Sequence, residues 1–283
     1  MCVCINVLPV EYVTCHFRVV LYLNQIEILL NVKMIKLTQD IDLENYTLIL
    51  PSVAVGNVGQ LAVDLLISNL NLSKIGQIFS ASFIPVVGAN AYHEHSNELI
   101  TAIDIYAGTK ERIVVIQIRS PYVDDLTEFF SELAQFVTER KIAKVIILAS
   151  SHDYIKREVQ PQHLKLRYVA SDGIRAKVGK LFDDLNWIPH KPRVVSEVTG
   201  EERLQIPGGG FAKSLFNFFS NADISCAVLF KFCSEGDNIE DAIILVRYLN
   251  QWICVLEISD SNNLKYPPSW KHLFGKPPAQ DLY

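Results

Sequence analysis

Ser150, Ser151, His152 and Asp153 are consecutive residues of the types that build a hydrolase triad. Such a triad needs a nucleophile, a base and an orienting acid that converge in space. Neighbouring residues in an extended segment point to opposite sides, and neither serine lies in a Gly-x-Ser-x-Gly turn. We therefore interpret the four residues as polar groups that end a strand and satisfy loop amides, and hydrolysis is the alternative.

Two glycine-containing segments could bind a phosphate, because backbone amides at the start of a helix bind anions. Pro207 to Ser214 reads Pro-Gly-Gly-Gly-Phe-Ala-Lys-Ser, but Pro207 and Ala212 stand where a nucleotide P-loop needs glycine. Gly56-x-x-Gly59 lacks the third glycine of a dinucleotide-binding turn. We expect sharp turns and tight packing at both segments.

Acidic residues and histidines near strand ends could hold a metal ion. Glu235 and Asp237 form such a pair, but Asp237 and Glu240 also have the spacing of a helix capping box, which we prefer. His93 and His95 have the spacing of neither a helical zinc pair nor a triad, and indicate a solvated loop. We predict that the protein uses no metal ion and no cofactor.

The six cysteines show no repeated Cys-x-x-Cys pattern that would indicate zinc. Cys2-Val3-Cys4 could bind a soft metal or become oxidised, but we prefer buried, reduced thiols in a cytosolic protein. The remaining cysteines are Cys15, Cys226, Cys233 and Cys254.

The composition is that of a globular protein with a core, because 49% of the residues are hydrophobic and 20% are charged. A net charge of −5 argues against a nucleic-acid partner, since phosphate binding requires a basic face. The first 33 residues lack the basic start of a signal peptide. Their longest clean apolar run, Val19 to Leu23, is far shorter than the about 20 residues of a membrane span. We therefore predict neither a nucleic-acid nor a membrane partner.

Short apolar strands alternate with amphipathic helices along the chain, which predicts an α/β fold. We expect three layers, α/β/α, around a mostly parallel central sheet. Asn57 and Gln60 have the spacing of a capping box for the first helix. His190 to Glu202 is polar and contains Pro192, so a loop or an exposed excursion is expected there. The predicted strands are Tyr46 to Leu50, Ile75 to Val87 (broken by Pro85), Glu98 to Tyr106, Arg112 to Ile118, Lys144 to Ala149 and Ile224 to Phe232, of which the third and fourth form a hairpin. The predicted helices run from Val58, from Asp124 to about Arg140, from Ile174 to Leu185, from Ala212 to Phe219 and from Ile239 to Ile253.

We expect the chain to have three parts. Residues 1–33 form an N-terminal extension outside the fold, which we interpret as an alternative upstream start. Residues 34–259 form a single α/β domain, and residues 260–283 form a proline-containing tail that docks on a partner. Asp281, Leu282 and Tyr283 are the predicted binding residues of this tail, because a partner pocket can pair a terminal carboxylate while burying an aromatic ring. A frayed terminus is the alternative.

Taken together, these segments resemble the proteasome assembly chaperone family. The order VGNVGQLA, IPGGG and SEGDN is specific, and the resemblance covers nearly the whole chain after Met34. The segment from Ile155 to Arg203 matches poorly, and Met1 to Lys33 does not match. The matching stretches are Leu50 to Leu66, Lys74 to Gly76, Gln117 to Ser120, Val145 to His152, Ile206 to Gly210, Phe232 to Ala242, Tyr248 to Asn250 and Pro268 to Gly275.

This resemblance implies a non-enzymatic protein with a fold like that of nucleoside phosphorylases. Such a chaperone forms a heterodimer with proteasome assembly chaperone 1 and holds proteasome α subunits while they form a seven-membered ring. It blocks wrong pairing of rings and leaves when the 20S core particle matures. Related chaperones insert tails that end in a hydrophobic residue, tyrosine and any residue, whereas the sequence here stops at Leu282-Tyr283. We expect a cytoplasmic and nuclear location.

Two other functions remain open. One is a phosphorylase- or hydrolase-like enzyme that uses the loops Gly208 to Gly210 and Ser150 to Asp153. The other is a general interaction module that acts outside the proteasome.

Overall fold

The computed structural model describes residues 34–155, 166–196, 201–257 and 264–272. From Ile35 onward the described residues belong to one compact unit. The predicted N-terminal extension, with Cys2, Cys4 and Cys15, lies outside the described residues.

An eight-stranded sheet forms the centre of the fold. Four adjacent strands, the fourth to the seventh in spatial order, run parallel to one another, and antiparallel strands extend the sheet on both sides. The predicted α/β class with a parallel centre is confirmed. In spatial order the strands are β1 (Ile35–Leu37), β3 (Ser73–Ile78), β6 (Ile103–Gly108), β7 (Ile113–Ile118), β2 (Thr47–Pro51), β8 (Lys144–His152), β12 (Cys226–Cys233) and β9 (Leu166–Ala170).

The pattern of residues explains which strands take the middle of the sheet. Val145 to Leu148 is a continuous apolar run in β8, and all four side chains are fully buried. A strand buried on both faces needs such a run, whereas a half-solvated strand alternates. The predicted hairpin is also found, because β6 pairs antiparallel with β7 across a short turn.

Helices cover both faces of the sheet, so the predicted three layers are confirmed. They are α1 (Val58–Leu70), α2 (Thr127–Glu139), α3 (Asp172–Asp184), α4 (Ala212–Asn221) and α5 (Ile239–Ile253). On one face α1 packs against α5, and Phe182 of α3 meets Trp252 of α5 with ring centroids 5.0 Å apart. On the other face Phe130 of α2 meets Phe218 of α4 at 5.8 Å. No helix in the described residues has both the length and the apolar character needed to cross a bilayer.

Two small hairpins lie outside the main sheet. The first joins β4 (Val87–Ala89) to β5 (Leu99–Thr101), so the strand expected from Ile75 to Val87 is really two strands separated by a loop that contains Pro85. The second joins β10 (Arg193–Ser196) to β11 (Glu201–Arg203). Part of the segment from His190 to Glu202, expected as a loop or an exposed excursion, therefore forms paired strands, which supply backbone hydrogen bonds that polar composition did not reveal.

Both predicted capping boxes differ from the structure. Asn57 has a left-handed backbone (φ 54°) and its side chain does not cap α1, while the Gln60 amide donates to the Ile118 carbonyl at 3.0 Å. Before α5, Asp237 accepts a hydrogen bond from the Ile239 amide at 3.1 Å, but Asn238 is the residue that precedes the helix. A left-handed backbone and a tertiary contact thus replace the local pattern at α1, whereas before α5 the Asp237 carboxylate binds the amide two residues on rather than three.

We predict opposite effects for alanine at two helical glycines. A Cβ at Gly59 in α1 would lie 2.4 Å from the Leu148 carbonyl oxygen, so Gly59→Ala forces helix and sheet apart. Overpacking of this kind costs about 1–3 kcal/mol. Gly179 in α3 has no atom within 4 Å of an added Cβ. Gly179→Ala should instead add about 0.5–1 kcal/mol through helix propensity.

Urea denaturation of the two variants beside the wild type tests this pair. Equal midpoints for Gly59→Ala and the wild type would contradict the close approach of α1 to β8.

Candidate functional site

Three of the sequence motifs meet at the carboxyl edge of the parallel strands, where α/β proteins usually bind ligands. Strands β2, β8 and β12 end side by side, and Cys233 pairs with His152. The loop after β2 then joins the glycine loop before α4, because the Val55 amide donates to the Gly208 carbonyl at 2.8 Å. The Ser52 hydroxyl donates to the Gly209 carbonyl at 2.7 Å. We call this set of joined loops the carboxyl-edge cluster.

The serines of this cluster bind main-chain carbonyls. Ser150 donates its hydroxyl to the Val55 carbonyl, and Ser151 donates to the Pro207 carbonyl at 2.8 Å. The His152 ring lies against Tyr154, with ring centroids 4.8 Å apart. Neither serine hydroxyl is directed to His152, so the structure does not assemble a nucleophile–base pair from these residues. The serines at the end of β8 therefore do bind the neighbouring loops, but they bind loop carbonyls and not the loop amides that we expected.

The glycines of the cluster allow protein segments to approach one another closely. Gly210 has φ 57°, and a Cβ there would lie 2.1 Å from the Val53 carbonyl oxygen. Gly56 has φ 65°, and a Cβ there would lie 2.5 Å from the Asn238 side-chain nitrogen. The VGNVG, IPGGG and SEGDN motifs thus pack on one another, and protein atoms fill the positions next to these glycines.

The thiols and acids near the cluster are poor candidates for chemistry. Burial raises the pKa of the Cys233 thiol to about 11, and nearby Asp241 adds to the shift. Burial likewise raises the pKa of Cys226 to about 11, so both thiols are protonated at neutral pH. Cys254 is exposed, contrary to the expected burial. Among the described residues no group of three His, Cys, Asp or Glu side chains could hold a metal ion.

A second polar centre surrounds the buried carboxylate of Asp64 in α1. Its Oδ1 accepts hydrogen bonds from the Tyr92 hydroxyl at 2.7 Å, from the Gln117 amide and from the Arg119 guanidinium at 3.0 Å. Its Oδ2 accepts from the Trp270 indole nitrogen at 3.2 Å. We call these five residues the Asp64 cluster.

The Asp64 cluster is an ion pair extended by neutral donors. Arg119 lies beside Asp64, and it also donates to the Tyr92 oxygen at 2.7 Å and lies over the Tyr92 ring. Burial raises the pKa of Tyr92 well above its usual range, and the Asp64 charge adds to the shift. Burial also raises the pKa of Tyr106, which packs edge-on against Tyr92. Both phenols therefore stay neutral over the physiological range, and Tyr92 serves as a donor.

Sequence reasoning missed this centre, although its residues lie in or next to the quoted motifs. The available signal was a single carboxylate in the apolar stretch Val63-Asp64-Leu65-Leu66. A charge within a buried helix requires partners, so Asp64 alone indicated a polar network. Nothing local indicated which residues supply the donors.

The predicted binding residues Asp281, Leu282 and Tyr283 lie outside the described residues. Of the predicted tail, residues 264–272 are described and contact the body of the domain. Trp270 is buried there and belongs to a hydrophobic core cluster that includes residues of α1 and α5.

Exposed apolar side chains gather beside the β4–β5 hairpin. Val87 and Leu99, which are 67% and 59% exposed, lie on the same outer face because alternate residues of paired strands share a face. The adjoining loops pair with each other, since the Val123 amide donates to the Ser82 carbonyl at 2.8 Å, and Val123 is 63% exposed. We call Ile84, Val86, Val87, Leu99 and Val123 the hairpin surface. Apolar surface of this kind is typical of protein–protein contacts.

Comparison with known proteins agrees with this geometry. The sequence profile of the PAC2 family matches residues 48–265. Proteasome assembly chaperone 2 of Mus musculus is 39% identical over 252 residues, which cover 84% of this chain and 96% of that protein. Its counterpart in Homo sapiens is 40% identical over the same shares.

Solved structures share the fold at lower identity. Pyrococcus furiosus PbaA, an archaeal homologue of proteasome-assembly chaperone, is 18% identical and superposes with a TM-score of 0.59, covering 85% of this chain and 92% of that chain. Pyrococcus furiosus PbaB, an archaeal proteasome activator, is 16% identical with a TM-score of 0.55, covering 81% of this chain and 92% of that chain.

The buried phenols predict how stability depends on alkaline pH. An unfolded tyrosine loses its proton near pH 10, whereas folded Tyr92 keeps it, so the unfolded state is favoured as the pH rises. The contribution of Tyr92 is therefore fully present below pH 10 and is lost between pH 10 and its raised folded pKa. Within that window each such phenol lowers the free energy of unfolding by about 1.4 kcal/mol per pH unit.

Urea denaturation of the wild type and of Tyr92→Phe at several pH values from 8 to 11 measures this slope. The variant should show a shallower fall above pH 10. Identical slopes would mean that Tyr92 titrates normally in the folded protein.

Proposed function

This chain belongs to the PAC2 family, and on that premise we propose that it acts as a chaperone of proteasome assembly. The carrying observation is the identity of 39–40% to relatives named proteasome assembly chaperone 2, spread over 84% of the chain. Because the sequence identity extends over 84% of the chain, it includes residues of the core and residues of the surface loops.

The finer proposal is a heterodimer with proteasome assembly chaperone 1 that holds α subunits of the 20S proteasome during ring formation. It prevents off-pathway pairing of rings and is released on maturation. The hairpin surface supports this proposal, because an assembly factor needs an exposed, partly apolar face. Release favours an interface of moderate size over an obligate one. We propose a cytoplasmic and nuclear location for the same task.

The carboxyl-edge cluster supports a role without catalysis. An enzyme of this architecture would place its reacting groups there, in a concave site with activated acids and bases. Here the serine hydroxyls bind main-chain carbonyls, and Gly210 packs against Val53. Surface recognition explains this arrangement without a substrate.

The alternative is a phosphorylase- or hydrolase-like enzyme that binds phosphate or a nucleoside at this edge. A ligand that binds the native state raises its stability, by about 2.7 kcal/mol at 100 times Kd. We expect millimolar phosphate, alone or with a nucleoside, to leave the thermal midpoint of the full chain unchanged. A reproducible rise would favour the enzyme, and Gly210→Ala would then have to abolish the rise.

Affinity purification of the tagged full chain from the cells that express it tests the proposed function. We expect proteasome assembly chaperone 1 and α subunits to co-purify with few mature β subunits, because the chaperone is released on maturation. In the same experiment a chain without Gln280 to Tyr283 should retain the heterodimer and lose α subunits by about tenfold or more, since a buried aromatic anchor contributes about 1–2 kcal/mol or more.

Recovery of neither partner class would contradict the assembly role. Equal recovery of α subunits by both chains would contradict tail docking and leave the rest of the proposal standing.

A further inference from the structure

Residues 264–272 lie across the body of the domain, and we call them the strap. The side chain of Asn69 in α1 holds one end, because its amide donates to the Lys265 carbonyl at 3.0 Å and its oxygen accepts from the Lys265 amide at 2.8 Å. Near the other end the Ser269 amide donates to the Ala91 carbonyl at 3.2 Å. The strap therefore contacts both α1 and the loop of the β4–β5 hairpin.

The main anchor of the strap is Trp270. Its ring is 9% exposed and belongs to the hydrophobic core, and its indole nitrogen donates to Asp64. Tyr266 packs on it with ring centroids 5.4 Å apart. Lys271 pairs with Glu94 at 2.6 Å, but this pair is exposed and adds little by comparison. A buried indole with its nitrogen paired fixes both the position and the direction of the strap.

We propose that the strap positions the C-terminal tail, with Trp270 and Asn69 as positioning residues that fix where the chain leaves the domain. The inference rests on the proposed function, because it assumes that Asp281 to Tyr283 dock on α subunits. Fixing the strap beside the hairpin loop sets the local concentration of the tail at its docking site.

The length of the tether gives the size of the effect. Asp281 lies 9 residues after His272, where the described strap ends, but 24 residues after Glu257, the last described residue before the strap. The effective concentration of a linked group falls roughly as the −3/2 power of linker length, so the longer linker left after release of the strap lowers the effective concentration of the tail by about fourfold.

Trypsin cleavage within the strap measures whether the strap has detached from the domain. Lys265 and Lys271 are trypsin sites within it, and the backbone on both sides of Lys265 is bound by Asn69. Trp270→Ala should raise the rate of cleavage after Lys265, because it removes the buried anchor. Asn69→Ala leaves the Trp270 indole in the core and should also raise the rate of cleavage after Lys265. It provides a second variant if Trp270→Ala folds poorly. Lys271→Ala, which breaks only the exposed pair, is the matched control.

The deciding experiment measures the affinity of the full chain for isolated proteasome α subunits, with and without Gln280 to Tyr283. We expect Trp270→Ala and Asn69→Ala to weaken binding, by about fourfold for Trp270→Ala, only when the tail is present, and Lys271→Ala to change nothing. A merely structural role would weaken binding equally in both backgrounds.

Three outcomes overturn the inference in distinguishable ways. Faster cleavage after Lys265 with unchanged affinity shows that the strap does not position the tail. Equal weakening with and without the tail shows a general structural effect. If deletion of Gln280 to Tyr283 from the otherwise wild-type chain leaves the affinity for α subunits unchanged, the tail does not dock, and the strap then has no tail to position.

Discussion

A buried carboxylate sets the arrangement of much of this molecule. Asp64 lies inside α1, and an ionised carboxylate in the core requires both a counter-charge and hydrogen-bond donors. Arg119 provides the charge from the residue after β7, Tyr92 donates from the hairpin loop, and Trp270 donates from the strap. Because a buried charge that loses a hydrogen-bond partner is destabilised, each of these segments is held to α1. One charge thereby links the central sheet, the exposed hairpin and the C-terminal segment.

The carboxyl edge of the sheet follows a different constraint. Parallel strands bring their following loops together, and in many α/β proteins that convergence creates a ligand site. In this chain positive φ values at Gly56 and Gly210 allow the loops to pack on one another. The same topology therefore yields an end of the domain at which the loops pack on one another. Surfaces elsewhere, such as the exposed face of the hairpin, remain for contacts with partners.

Much of the fold could be predicted from the sequence, because some signals are local and continuous. The run Val145 to Leu148 is typical of a buried strand, and the apolar stripe of α5 is typical of a helix that covers a sheet. The convergence of the glycine motifs also follows from parallel strands. Local signals were misleading where a tertiary contact formed instead, because the Gln60 side chain bonds to the Ile118 carbonyl at the end of β7 and does not cap its own helix. The Asp64 cluster was beyond reach, since its partners lie 28 to 206 residues away along the chain.

The place of Trp270 in the sequence has a consequence for biosynthesis. Synthesis proceeds from the N-terminus, so all eight strands of the sheet exist before the ribosome adds Trp270. Until then Asp64 is without one of its donors, and the core around α1 has a gap the size of an indole ring. The core of the domain is therefore complete only after Trp270 has been added, and a chain truncated before Trp270 would lack the last piece of its own core.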